Sequence, residues 1–127
     1  MREIKFRGLT KSGEWVYGGY LPYYPEKNDE LCFISCFKKD IDYGYLEDCN
    51  IVIKKTIGQY IGRKDKNNKE IYEGDIVSCF YEGEHSYDSA YKEEILYKYN
   101  SFFCGENRIP NDIEVIGNIH ENPELLR

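Results

Sequence analysis

Apolar side chains recur along this chain in short runs divided by polar stretches: Ile4 to Leu9, Glu14 to Tyr24, Leu31 to Lys38, Ile51 to Tyr60, Ile71 to Tyr81, Tyr91 to Tyr99, Phe102 to Cys104 and Ile113 to Ile119. Runs of this length, bounded by turn residues and rich in aromatic and β-branched side chains, predict strands. Tyr91, Ile95 and Tyr99 would also share a helical face, but Tyr91, Glu93, Ile95, Tyr97 and Tyr99 alternate with their neighbours, and the strand reading is adopted. Thr10-Lys11-Ser12-Gly13 predicts a first hairpin loop, and Asp65 to Lys69 a second with its tip near Asn67 and Asn68, since asparagine tolerates left-handed backbone. Glu73-Gly74-Asp75 reads as a sharp turn, because glycine reaches positive φ freely. Asn100-Ser101 then turns the chain into Phe102 to Cys104. Pro22 and Pro25 end the second run, and Glu26 to Glu30, Lys39 to Asp48 and Glu82 to Ser89 read as polar loops, although Ile41, Tyr43 and Tyr45 could line a short strand. Asn122-Pro123-Glu124 offers an N-cap, a proline and an acid for one helical turn over Pro123 to Leu126.

Composition sharpens this to an all-β domain. The chain's 127 residues suit one domain with its own core, and they hold 13 tyrosines and six phenylalanines but a single alanine, Ala90. With 41% hydrophobic and 16% aromatic residues, intrinsic disorder is excluded. Lys and Arg number 17 against 23 Asp and Glu, a net charge of −6, which argues against a strongly basic nucleic-acid clamp. The charge is uneven: residues 1–63 carry ten basic and nine acidic side chains, and residues 64–127 carry seven and fourteen. A solvated acidic surface accounts for this, and a head-to-tail contact between subunits is the alternative. No apolar stretch approaches the length of about 20 residues that a spanning helix needs, and no apolar signal core follows Met1 to Arg7, so a cytoplasmic protein without membrane attachment is expected. Cys32, Cys36, Cys49, Cys79 and Cys104 contain no CxxC pair, so neither a disulfide framework nor a zinc site is indicated. Leu31 to Phe37 reads as a strand buried on both faces, with Cys32 and Cys36 as buried thiols.

Candidate chemistry is sparse. His85 and His120 are the only histidines, and GxSxG, Walker-type and GxGxxG signatures are absent, so no catalytic residue, metal site or cofactor is expected. Asp65, Glu70, Glu73 and Asp75 could act as paired carboxylates or hold Mg²⁺, but turn formation explains them more simply, with the Asp75 carboxylate accepting local backbone N–H bonds. Tyrosine offers large amphipathic contact area at low rotamer cost. Trp15, Tyr17, Tyr20, Tyr23 and Tyr24 are therefore the candidate binding residues, with a tyrosine-rich core as the competing reading. Lys5, Arg7, Lys11, Lys54, Lys55, Arg63, Lys64 and Lys66 could contact phosphates if folding gathers them on one face.

Two segments and the C-terminus carry a resemblance. Ile4-Lys5-Phe6-Arg7-Gly8 with Gly13-Glu14-Trp15-Val16-Tyr17-Gly18, then Ile57 to Gly62, Lys64 to Asn67 and Glu70 to Val77, and finally Glu114 to Leu126, resemble the YopX family of phage and prophage proteins. The stretches Pro22 to Val52 and Glu82 to Lys92 depart from that pattern. The resemblance implies a small cytoplasmic protein encoded by a phage or prophage, and it supplies no reaction and no site residues. Glu73 to Val77 is also similar to the turn-to-strand step of SH3-like barrels. The expected fold is a single all-β domain over 1–127, with an N-terminal β-region (1–55) packed on a C-terminal SH3-like barrel (56–127, its strands between about 56 and 120) and a short C-terminal helical turn. The expected function is a non-enzymatic accessory protein that binds a host or phage protein, as a homo-oligomer. The alternative is a nucleic-acid-associated SH3-like module.

Overall fold

A computed structural model of the chain describes residues 3–22, 29–35, 49–80 and 91–127. Ten strands are described: β1 (Phe6–Leu9), β2 (Trp15–Leu21), β3 (Leu31–Ser35), β4 (Cys49–Ile53), β5 (Gly58–Lys64), β6 (Glu70–Tyr72), β7 (Asp75–Phe80), β8 (Tyr91–Lys98), β9 (Ser101–Cys104) and β10 (Asp112–Asn118). The only helical pieces among the described residues are single 3₁₀ turns at Lys54–Thr56 and Pro123–Leu126. All the registered strand pairs are antiparallel, so the protein is all-β, as its alternating runs and scarcity of helix formers predict. The chain forms two compact units, Met1–Tyr60 and Ile61–Arg127.

In the first unit the strand order is β4-β3-β2-β1-β5. The first hairpin forms at Thr10 to Gly13, where Gly13 takes φ +89° and its N–H donates to the Thr10 carbonyl at 3.0 Å. Pleating sorts the side chains into two faces. Cys32, Ile34 and Val52 make a buried core on one face, flanked by Phe6, Val16, Tyr20 and Ile57. The predicted run from Ile51 to Tyr60 is broken by the 3₁₀ turn at Lys54–Thr56. Thr56 explains the break: its hydroxyl donates to the Ile53 carbonyl at 2.6 Å and accepts the Leu9 N–H at 2.8 Å, fastening the turn to the end of β1.

In the second unit β7, β8, β9 and β10 form a sheet ordered β10-β7-β8-β9. No pairing among the described residues closes a sheet into a barrel. The core here is Ile61, Ile71, Val77, Cys79, Ile95, Cys104 and Ile113, joined by Phe102, Ile109 and Val115. Cys104 donates its thiol hydrogen to the Cys79 sulfur at 3.6 Å, and Cys79 donates to the Tyr91 carbonyl at 3.3 Å, so these thiols pack as small core side chains. The hairpin at Asp65 to Lys69 places Asn68 at φ +65°, in the left-handed region its asparagines suit.

Two boundaries differ from the pattern. The β8–β9 turn falls on Tyr99 and Asn100, both at positive φ, rather than on Asn100 and Ser101. The register Lys98↔Ser101 leaves a two-residue loop, and the type I′ form it takes has positive φ at both central positions. At the C-terminus Asn122 does not cap the 3₁₀ turn with its side chain; its carboxamide oxygen instead accepts the Asn118 N–H at 3.2 Å.

Candidate functional site

The face of the first sheet opposite its core carries the candidate site. Direct cross-strand registration places Leu21 beside Phe33 and Phe33 beside Ile51, an apolar row across β2, β3 and β4. Tyr17 and Trp15 lie on the same side of β2, two and three alternations before Leu21. Tyr17, Leu21 and Ile51 are 45%, 43% and 41% exposed, so three large apolar side chains meet solvent on one face. Such a face is uncommon where no partner exists, because strand alternation normally turns one side polar. Towards β1 and β5 the same face becomes buried. Arg7 lies over the Trp15 ring at 4.4 Å from its centroid, and Lys5 lies over Tyr60 at 5.4 Å while pairing with Glu3 at 3.4 Å.

The row runs into an open cavity of about 670 Å³. Leu31 and Ile53, opposite each other on β3 and β4, supply its apolar lining, Lys11, Lys54 and Lys55 its cations, and Asp29 and Glu30 its carboxylates. This volume lies within the range of about 300–1,000 Å³ typical of ligand sites, and an apolar floor with a charged rim suits a partner's side chain. Beneath it Cys32 is held above the usual thiol range by burial, against the opposing pull of Lys54.

The predicted binding residues separate. Trp15 and Tyr17 belong to the open face. Tyr20 belongs to the core face, its ring 5.5 Å from that of Phe6, and burial followed by the nearby Cys32 pushes its hydroxyl pKa up. Tyr23 and Tyr24 lie outside the described residues, as do Cys36, His85 and the segment holding Ile41, Tyr43 and Tyr45. Leu21, Phe33 and Ile51 escaped the sequence reading because they come from three strands and meet only through register. The usable signal was that each strand is apolar at both parities.

The acids of the second unit take structural roles. Asp75 is almost fully buried and accepts the Tyr72 N–H at 2.8 Å. Asp65 accepts the N–H groups of Asn67, Lys69 and Val115 at 2.8, 2.9 and 2.9 Å. Burial opposes Asp65 ionisation, yet those three N–H groups and the Lys69 charge outweigh it and hold the carboxyl below the usual range. Glu73 is pushed up by burial and then by Glu94, and Glu94 by burial. Among the described residues, no three His, Cys, Asp or Glu side chains gather as metal ligands. The basic candidates disperse in their contacts: Arg63 donates to the carbonyls of Ile109 and Pro110, and Lys66 pairs with Glu114 at 3.5 Å.

The fold and site define an all-β protein with an exposed apolar sheet face. The chain belongs to the YopX family, described as YopX protein, whose profile matches residues 5–127. It is also similar to the crystal structure of protein EF1440 from Enterococcus faecalis, at 28% identity and a TM-score of 0.59, with 100% of each chain covered. No curated protein matches the chain.

Proposed function

We propose that this YopX-family chain is a non-enzymatic protein-binding module that docks a host or phage protein on the open face of its first sheet. The observation that carries this reading is the registered row Leu21, Phe33 and Ile51 beside exposed Tyr17, on the face opposite a complete core. Aromatic and aliphatic anchors of this kind dominate protein interfaces. Family membership supports a phage or prophage accessory role in the bacterial cytoplasm. No helix among the described residues is long and apolar enough to cross a membrane, which accords with that placement without deciding it. The SH3-like reading of the second unit rests on the Glu73-Gly74-Asp75 turn, with Gly74 at φ +91° leading directly into β7. A nucleic-acid role has weaker support, because Lys5, Arg7, Arg63 and Lys66 are engaged with the protein's own groups and the net charge is −6.

The test is affinity capture by the full tagged chain from lysogenic cells, beside a Tyr17→Glu/Leu21→Glu variant whose substituted positions are solvent-exposed. A specific protein retained by the wild type and lost by the variant is expected. Equal retention, or recovery of no specific protein, overturns the reading. Light scattering of the chain alone distinguishes self-association through the same face.

A further inference from the structure

The strand edges of this protein are not treated alike. On β9, Cys104 and Asn107 exchange backbone hydrogen bonds at 2.9 and 3.0 Å, so the following chain occupies that edge. Beside β10 the hairpin donates Lys66 N–H to the Ile113 carbonyl at 3.1 Å, and Asp65 takes the Val115 N–H. At β6 the Asp75 carboxylate takes the Tyr72 N–H. Closing edges in this way prevents unwanted strand addition. The outer edge of β4 is different. Lys54 N–H donates to the Glu30 carbonyl at 2.8 Å, which sets the alternation of hydrogen-bonded pairs along β3 and β4. Cys32 and Val52 then bond each other, whereas Ile51 and Ile53 turn their backbone groups outward. Thr56 occupies the Ile53 carbonyl, but the Ile51 N–H, the Ile51 carbonyl and the Ile53 N–H have no hydrogen-bond partner among the described residues.

We propose that β4 receives an extended segment of the partner protein as an added antiparallel strand, and that this segment carries acidic residues followed by two apolar residues at alternate positions. The inference rests on the protein-binding reading above and names its mode. Backbone bonds to Ile51 and Ile53 set the register of the incoming strand. Its alternate apolar side chains extend the Leu21, Phe33, Ile51 row and reach the cavity lining of Leu31 and Ile53. Beyond Ile53 the incoming strand meets Lys54 and Lys55, with Lys11 across the cavity, and none of these three lysines forms an ion pair among the described residues. Asp29 and Glu30 offset part of this charge, leaving the described lining residues one unit positive in a chain of net −6. A basic segment therefore meets three cations against two carboxylates and is disfavoured.

The probes are fluorescein-labelled peptides Glu-Glu-Val-Thr-Val-Thr and Lys-Lys-Val-Thr-Val-Thr, titrated with the full chain and read by anisotropy. The acidic peptide is expected to bind about tenfold tighter than the basic one, and Lys54→Glu/Lys55→Glu to reverse that order. Ile51→Pro is expected to weaken the acidic peptide by about tenfold, because it deletes the outward N–H while sparing the bonds to β3. Circular dichroism with thermal unfolding shows whether Ile51→Pro folds; if it does not, the charge reversal decides. Absence of binding by the acidic peptide, equal binding of both peptides, or full binding by a folded Ile51→Pro chain overturns the proposal. A captured partner that is lost by Tyr17→Glu/Leu21→Glu but held by Ile51→Pro would end strand addition and leave the protein-binding reading standing. A partner held by both variants would end that reading too.

Discussion

Tyr99 stands at the tip of the β8–β9 hairpin with φ +52°, followed by Asn100 at φ +61°. A tyrosine in the left-handed region places Cβ against its own carbonyl, at a cost of order 1–2 kcal/mol that asparagine largely avoids. What offsets it is modest: the ring is 87% exposed and meets Phe103 edge-on at 6.4 Å. Tyr99→Asn is therefore expected to raise stability by about 0.5–1 kcal/mol, read from the thermal midpoint. A fall would show that the Tyr99–Phe103 contact outweighs the strain. The same scale explains which turn residues could be read directly. Asn68 and Gly74 occupy positive φ because their types allow it, whereas Tyr99 does so because the type I′ form of its two-residue loop requires it.

Among the elements, β1 shows how packing overrides local preference. A Cβ on Gly8 would lie 2.7 Å from Val52 Cγ2 and 2.9 Å from Val52 Cβ, so β1 reaches its place over the first core only without a side chain there. Gly8→Ala is expected to cost about 1–3 kcal/mol by overpacking, measured by urea unfolding. Gly13 is a contrast, since a Cβ there meets nothing within 4 Å and only the backbone at φ +89° resists substitution. Gly13→Ala should cost less than Gly8→Ala, and the reverse order would show that hairpin geometry matters more than the Gly8–Val52 approach. Gly13's place in a hairpin was legible from the polar run it ends, whereas Gly8's role could not be told from spacing, because it depends on Val52 of a strand distant in the chain.

For the molecule as a whole, pH acts on two opposed sets of carboxyls. Asp65 is depressed in the folded state, so its stabilisation is present above the unfolded value of about 3.9 and is lost as pH falls through the folded value. Glu73 and Glu94 are raised, so their neutral forms stabilise fully below about 4.3, and that contribution is lost as pH rises through their folded values. Urea unfolding at pH 3 and pH 7 separates them. Asp65→Ala should cost about 2–3 kcal/mol at pH 7 and less at pH 3, since it removes a charged acceptor of buried N–H groups. Glu73→Gln should stabilise at pH 7 and change little at pH 3. A Glu73→Gln gain that persists at pH 3 would show that charge is not its cause.

The strand content, the hairpins at Thr10 to Gly13 and Asp65 to Lys69, the Glu73-Gly74-Asp75 turn and the YopX resemblance were all decided within the sequence. These features depend on neighbouring residues: alternation fixes which side chains share a strand face, and glycine or asparagine admits the turn. The tertiary structure alone decided that Tyr20 packs in a core while Tyr17 meets solvent, that Asp65 reaches Val115 of β10, and that Leu21, Phe33 and Ile51 form one row. Each of these depends on register between strands distant in the chain, and a shift of one residue would exchange the two faces. The open edge of β4 belongs with them, because an unpaired N–H is defined by where the neighbouring strand ends and not by the residue that carries it.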